Sequence, residues 1–134
     1  MSFSLSGSSR QLNWALGPVI IAGVLLIVDS AHAQDATHGQ ALFNNNCSIC
    51  HSVSPGRNVI GPALFGVVGR KAGTAPGFNY SAALKASGVV WTPANLDTWL
   101  ISPRAFVPMN RMSFAGLHTP NDRADVIAYL TKQK

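Results

Sequence analysis

Two cysteines three positions apart, with a histidine directly after the second, constrain this chain more than any other feature: Cys47-Ser48-Ile49-Cys50-His51. Each thiol can add across one vinyl group of a haem to form a thioether, and the imidazole then lies under the iron as an axial ligand. The spacing reads as c-type haem attachment. A redox dithiol or half of a zinc site would use the same residue types. The chain holds only these two cysteines, so no second pair completes a zinc site, and no strand pattern precedes Cys47 as a thioredoxin-like unit requires. A small chain that carries a haem must wrap apolar side chains around it, and the cofactor then supplies much of its core.

The amino terminus indicates where that attachment takes place. From Leu12 to Val28 the chain is apolar except for Asn13, and Asp29 and the small residues Ser30-Ala31-His32-Ala33 follow. Ala31-His32-Ala33 has the A-x-A form that signal peptidase cuts, so residues 1–33 read as a signal peptide and the mature chain as 34–134. An uncleaved membrane anchor is the alternative. Its apolar run sits at the lower edge of the roughly 17–25 residues that span a bilayer, and Gly17-Pro18 interrupts it. Export to the periplasm, free or tethered, is expected in both cases.

Residues 34–134 make one small domain. They carry nine Lys/Arg and four Asp, a net charge of +5 that is scattered along the chain, with Arg70-Lys71 the only adjacent cationic pair. No basic run interleaved with aromatics is present, which argues against nucleic-acid binding. A mild positive excess suits docking to acidic protein partners.

Short helices separated by Gly/Pro loops are predicted, without a convincing strand. Gly39, Leu42 and Phe43 share one helical face in a segment from about Ala36 to Cys47, capped by Asp35 or Thr37. Thr92-Pro93 and Thr119-Pro120 are N-cap and first-turn proline pairs. The first opens a helix with the stripe Leu96, Trp99 and Leu100, stopped by Pro103. The second opens a helix with Asp122 in its first turn and the stripe Val126, Ile127, Tyr129 and Leu130. A shorter helix from about Ser81 to Ala86 ends at Gly88 as its C′ residue. From Pro55 to Tyr80 the chain is dense in glycine and proline, yet Leu64, Phe65, Val67, Val68, Phe78 and Tyr80 need burial. A loop wrapped on an apolar object with its side chains turned inward meets both demands.

The motifs resemble those of the small class I cytochromes c, of the mitochondrial type and its bacterial counterparts. Gly39 and Phe43 precede the haem motif and Gly61-Pro62 follows it. Gly69-Arg70-Lys71-Ala72-Gly73-Thr74-Ala75-Pro76-Gly77-Phe78-Asn79-Tyr80, Trp91, Met112-Ser113-Phe114-Ala115-Gly116 and Asp122 to Leu130 come after in the family's order. The resemblance covers essentially all of 34–134. It implies an all-α cytochrome c fold around one covalently attached haem c, and a single-electron carrier with no substrate chemistry of its own. Such a carrier shuttles between membrane redox complexes, from a quinol-oxidising complex to an oxidase or reaction centre. An electron-accepting cytochrome subunit of a periplasmic dehydrogenase is the alternative, since it would share every motif.

Residue by residue, the resemblance implies Cys47 and Cys50 as thioether donors, His51 as proximal ligand and Met112 as distal ligand. The Pro62 carbonyl would accept from the His51 ring and fix its tautomer. Tyr80 and Trp91 would donate to a haem propionate, with Arg70 as countercharge, and Gly39 would let the first helix cross the last against Val126 and Tyr129. Where the family has Pro-Gly-Thr-Lys-Met this chain has Pro108-Met109-Asn110-Arg111-Met112. Here Asn110 is expected to offer its amide in place of the threonine hydroxyl, and Met109 to fill a gap. Leu84 also departs, standing where relatives often place a polar side chain. His38 and His118 are read as surface histidines. Redox partners would dock at the haem edge beside Arg57, Arg70, Lys71, Arg104 and Arg111, and the carrier would act as a monomer.

Overall fold

Asp35 opens the first helix. Its carboxylate accepts from the backbone N–H groups of Thr37 at 2.8 Å and His38 at 3.2 Å, so it, and not Thr37, is the cap. The same donors hold the Asp35 carboxyl below its ordinary value. The computed structural model describes residues 33–134. The segment read as a signal peptide lies, all but Ala33, outside the described residues.

Helix α1 runs Ala36–Asn46, α2 Ala82–Ala86, α3 Pro93–Ile101, α4 Pro103–Phe106 and α5 Pro120–Thr131. Among the described residues the one β feature is a single antiparallel bridge between Lys71 and Val90. None of their helices is long and apolar enough to cross a membrane. The start signals worked as local chemistry predicts. Thr92 Oγ1 accepts from Asn95 N–H at 3.1 Å ahead of Pro93, and Ser81 Oγ accepts from Leu84 N–H at 3.2 Å. Gly88 takes a left-handed φ of +68° just past α2. Thr119 occupies the cap position of α5, but its side chain makes no capping bond.

The pairing of α1 with α5 closes the fold. Gly39 sits at the crossing, where a Cβ would overlap the Asp125 carbonyl and press on Tyr129 Cβ at 3.0 Å. Only glycine lets the backbones come this close. One turn on, Phe43 packs on Tyr129 with ring centroids 5.4 Å apart. Helix α3 turns Leu96, Trp99 and Leu100 inward, and Trp99 meets Trp91 edge-on at 5.0 Å. The one-turn α4 was not predicted, because four residues show no periodicity. Ser102 both ends α3 and caps α4, its Oγ accepting from Ala105 N–H at 3.3 Å. The long loop is held by scattered backbone bonds, including Gly69 N–H to the Trp91 carbonyl and Trp91 N–H to the Arg70 carbonyl, each 2.9 Å.

A carboxylate buried at the crossing was not foreseen. Asp125 is 1% exposed. One of its oxygens accepts from Asp35 N–H at 2.7 Å, and the other lies 2.8 Å from His38 Nδ1. His38 is therefore a partner of the helix crossing and not a casual surface histidine, although its side chain is 49% exposed. The hydrogen bond to Asp125 raises the His38 pKa above its ordinary value, against a smaller effect of burial and with help from the charges of Asp125, Asp122 and Asp35.

The sign of the pH effect follows. A histidine whose pKa is higher folded than unfolded stabilises fully below the unfolded value of 6.5, and that contribution disappears as pH rises through the folded value. Neutral His38 keeps the hydrogen bond through Nδ1–H but loses the charge attraction. In urea titrations of the holoprotein, the midpoint advantage of the parent over His38→Gln should be largest near about pH 5 and shrink toward about pH 9. A gap that grows with pH would mean that the charged pair is not the stabilising form.

Candidate functional site

The cysteine motif begins as α1 ends. Cys47 N–H still bonds to the Phe43 carbonyl at 2.8 Å, and the Cys47 carbonyl then accepts from Cys50 N–H at 3.0 Å and His51 N–H at 2.9 Å. This tight turn brings the second cysteine and the histidine back over the first. The two cysteines are not joined in a disulfide. Burial in an apolar wall pushes the Cys47 thiol up to about 11.

His51 is fixed from behind. Its Nδ1 lies 2.8 Å from the Pro62 carbonyl oxygen, which can only accept, so Nδ1 carries the proton and Nε2 keeps its lone pair. Burial lowers the ring's pKa below the ordinary histidine value, with the Pro62 bond opposing in part, so the ring is a neutral donor at neutral pH. Gly61 makes room for it, since a Cβ there would collide with the imidazole. Gly61 N–H also bonds to the Cys50 carbonyl at 2.7 Å, lashing this loop to the motif.

Cys47, His51, Pro62, Arg70, Tyr80, Trp91 and Met112 all line one cavity, and Cys50 stands beside it next to His51. The rest of the wall is largely aliphatic and aromatic, with Leu64, Val67, Leu96, Trp99, Leu100, Val126 and Leu130 among its members. Leu84 is part of the same wall, so the departure there makes the site drier.

One corner is polar. The Arg70 guanidinium donates from Nη1 to the Phe65 carbonyl at 3.0 Å and from Nη2 to the Ala63 carbonyl at 2.9 Å. Its Nε–H is buried with no partner among the described residues. An orphaned buried donor costs roughly 1–3 kcal/mol, more on a charged group. Tyr80 Oη accepts from Ala75 N–H at 3.2 Å and keeps its own proton to give. Burial raises its pKa, so that proton stays on. An apolar slot with a neutral imidazole, a thioether and two thiols in or beside its wall, and unspent donors in one corner, fits a flat apolar macrocycle that carries carboxylates.

The turn before Met112 differs from expectation. Asn110 Nδ2 donates to the Pro103 and Val107 carbonyls, each at 2.8 Å, and its Oδ1 accepts from Met112 N–H at 2.8 Å. Both ends of its amide are therefore engaged with backbone, in the wall of the cavity. Met109 fills no gap: it is 84% exposed. It stands where the family has a glycine and adopts a left-handed backbone, with φ of +64°.

Of the cations expected to meet partners, Arg57, Lys71, Arg104 and Arg111 are exposed, whereas Arg70 is committed to the cavity corner. Arg123 was missed. It is 7% exposed and donates to Asp97 Oδ1 at 2.7 Å and to the Leu117 and His118 carbonyls at 3.0 Å each. It ties the end of the methionine loop to α3 and α5. The signal was present, because Arg123, Val126, Ile127 and Leu130 lie at i, i+3, i+4 and i+7.

Short helices packed around a cysteine-anchored apolar slot define a protein with a covalently attached haem. The cytochrome c family model matches residues 36–134, and the chain belongs to that family. It is 46% identical over 121 residues to cytochrome c2 of Rhodomicrobium vannielii, covering 89% of this chain and 96% of the relative. Cytochrome c2 of Rhodopila globiformis is also 46% identical, over 78% of this chain and 99% of its own. Among solved structures, cytochrome cH from Methylobacterium extorquens superposes with a TM-score of 0.69 at 44% identity, covering 72% of this chain and 97% of that one. The protein is thus an electron carrier with one covalently attached haem c, and its partners are redox proteins.

Met109 gives a direct test of the altered turn. A non-glycine residue in the left-handed region costs about 1 kcal/mol. Met109→Gly should stabilise the holoprotein by a few tenths to about 1 kcal/mol, the extra freedom of glycine in the unfolded chain offsetting part of the gain. Denaturant unfolding checks this. A lower midpoint would show that the methionine side chain makes a stabilising contact.

Proposed function

We propose that His51 and Met112 are the axial ligands of the haem, joined to the chain through Cys47 and Cys50, and that the carrier works between a quinol-oxidising complex and an oxidase or reaction centre. The observation that carries this is the pairing of a neutral imidazole, its Nε2 left free by the Pro62 bond, with a thioether in the wall of the same apolar cavity. Bound haem supplies the one-electron couple, and a soft neutral thioether favours its ferrous form. The chain's own groups do the rest. The Pro62 carbonyl orients His51, while Arg70 Nε–H, Tyr80 and Trp91 would hold the propionates. The leucine and tryptophan wall excludes water. His51 and Met112 would together hold the iron from the protein side, and the chain would then act as a carrier and not as an enzyme.

Residues 1–33 are a signal peptide in this proposal, supported by Ala31-His32-Ala33, and residues 34–134 act as a monomer in the periplasm. Docking takes place beside exposed Arg57, Lys71, Arg104 and Arg111. No acidic residue lies between Asp35 and Asp97 or between Asp97 and Asp122, so these loops carry only positive charge.

Two experiments test the site. Acidic organic extraction should leave the haem on the parent, whereas Cys47→Ala with Cys50→Ala should retain none and fail to fold, because the slot needs its occupant. Met112→Ala should abolish the sulfur-to-iron charge-transfer band in the red, lower the potential and open the iron to imidazole. Met109→Ala should leave all three unchanged, and the reverse outcome would move the ligand to Met109.

Docking is tested by salt. Stopped-flow reduction should slow as added salt shortens the Debye length to about 8 Å at physiological strength. Arg111→Glu should cost more of the rate than Lys134→Glu. Equal effects would place the docking surface elsewhere.

A further inference from the structure

We propose that Asn110 is the positioning residue for Met112, fastening the ligand's backbone to α4 through one side-chain amide. The inference rests on Met112 being the distal ligand. Three bonds of 2.8 Å converge on this amide: Nδ2 spans the carbonyls of Pro103 and Val107, the first residue of α4 and the residue just past it, and Oδ1 holds Met112 N–H. A planar carboxamide carries donors on one end and an acceptor on the other. Threonine has one hydroxyl proton and cannot span two carbonyls, and aspartate keeps the acceptor but loses both donors.

What the amide grips is itself anchored. Pro103 is wholly buried, and Phe106 of α4 meets Trp99 edge-on at 6.3 Å. Beyond Met112 the next backbone hydrogen bond is at Leu117, whose N–H bonds to the Leu100 carbonyl at 2.7 Å, with Gly116 lying against the Ile101 carbonyl where no Cβ would fit. The four residues between, 113 to 116, form no regular element. The Met112 side chain packs on the core, as does Phe114 after it, and among the described residues the hydrogen bond that holds the Met112 main chain is the one to Asn110. Both Nδ2 hydrogens are taken by carbonyls, so the residue acts through the ligand's main chain and not on its sulfur.

The test uses ferric holoprotein carrying Asn110→Ala or Asn110→Asp, with Asn46→Ala as a control that removes a single exposed bond to the Leu42 carbonyl at 2.9 Å. Two readouts follow Met112 itself: the pH at which the red charge-transfer band is lost, and the rate at which imidazole binds. Circular dichroism and denaturant midpoint report the fold. Asn110→Ala should keep its helix content, lose the band about one pH unit lower and bind imidazole about tenfold faster, the scale of one or two net hydrogen bonds. Asn110→Asp, which retains the acceptor for Met112 N–H, should fall between it and the parent, and Asn46→Ala should match the parent. Asn110→Ala or Asn110→Asp with parental band pH and imidazole rate would overturn the proposal. If Met112→Ala abolishes the band while both Asn110 variants behave as the parent, the ligand assignment stands and the role of Asn110 falls. If Met112→Ala keeps the band, the ligand assignment fails and the role of Asn110 with it.

Discussion

Everything in this fold answers to one constraint, an apolar slot that the chain must line from nearly every segment. Trp99, Leu96 and Leu100 come from α3, Val126 and Leu130 from α5, and Leu64, Val67 and Trp91 from loops, yet all line the same cavity. These side chains form one buried cluster, and in a chain of this size an object in the slot would add much to so small a core. The helices are correspondingly short, and they serve as frames for inward-facing residues. The Gly/Pro-rich loop lacks regular structure for the same reason. Its backbone pairs piecemeal, through Ala72 N–H to the Val89 carbonyl at 2.8 Å and Gly66 N–H to the Gln133 carbonyl at 2.7 Å, while Leu64, Val67, Phe78 and Tyr80 turn to the slot.

The α1–α5 crossing holds in place the helix that lines the slot with Val126 and Leu130. Its closeness depends on the missing Cβ of Gly39, and its polar content on Asp125. A buried carboxylate is tolerable only when both oxygens are engaged. Here a backbone N–H and an imidazole from the start of α1 engage them, so the contact that satisfies the charge also pins the two helices. Arg123 does a comparable service on the opposite side of α5, joining α3 through Asp97 and the methionine loop through two carbonyls.

Much of this was legible in the sequence, because caps and prolines act locally. Asp35, Ser81, Thr92-Pro93 and Gly88 each mark a helix boundary by chemistry within four residues. Cys47, Cys50 and His51 announced the site in the same way, and a family likeness placed Pro62, Arg70, Tyr80, Trp91 and Met112 around it. What stayed hidden depends on side chains meeting across distance or on a turn too short to have a period. His38 and Asp125 lie on different helices. Asn110 reaches back to Pro103 through a helix of four residues. Met109 follows a backbone path set by its neighbours, so its own preference for extended or right-handed conformations could only mislead.

Charge counts mislead in a related way, because a formal +5 says nothing of where the charges sit. Arg70 and Arg123 are spent inside, and Asp97 is spent on Arg123. The other three acids of the domain, Asp35, Asp122 and Asp125, all act on His38, so the negative charge gathers where α1 and α5 begin. Lys132 and Lys134 lie past the other end of α5, roughly 18 Å away along a twelve-residue helix. Arg57, Lys71, Arg104 and Arg111 stay exposed on segments without a single acid. Among the described residues the acids other than Asp97 therefore gather at one helix crossing, apart in the chain from the exposed Arg57, Lys71, Arg104 and Arg111. Such a separation of charge turns a carrier in the field of an acidic partner before contact. It works over a Debye length of about 8 Å at physiological salt, and adds little to the strength of the complex once formed. A carrier that must let go after each electron is served by that division, with orientation from long-range charge and release from the lack of strong pairs at the surface.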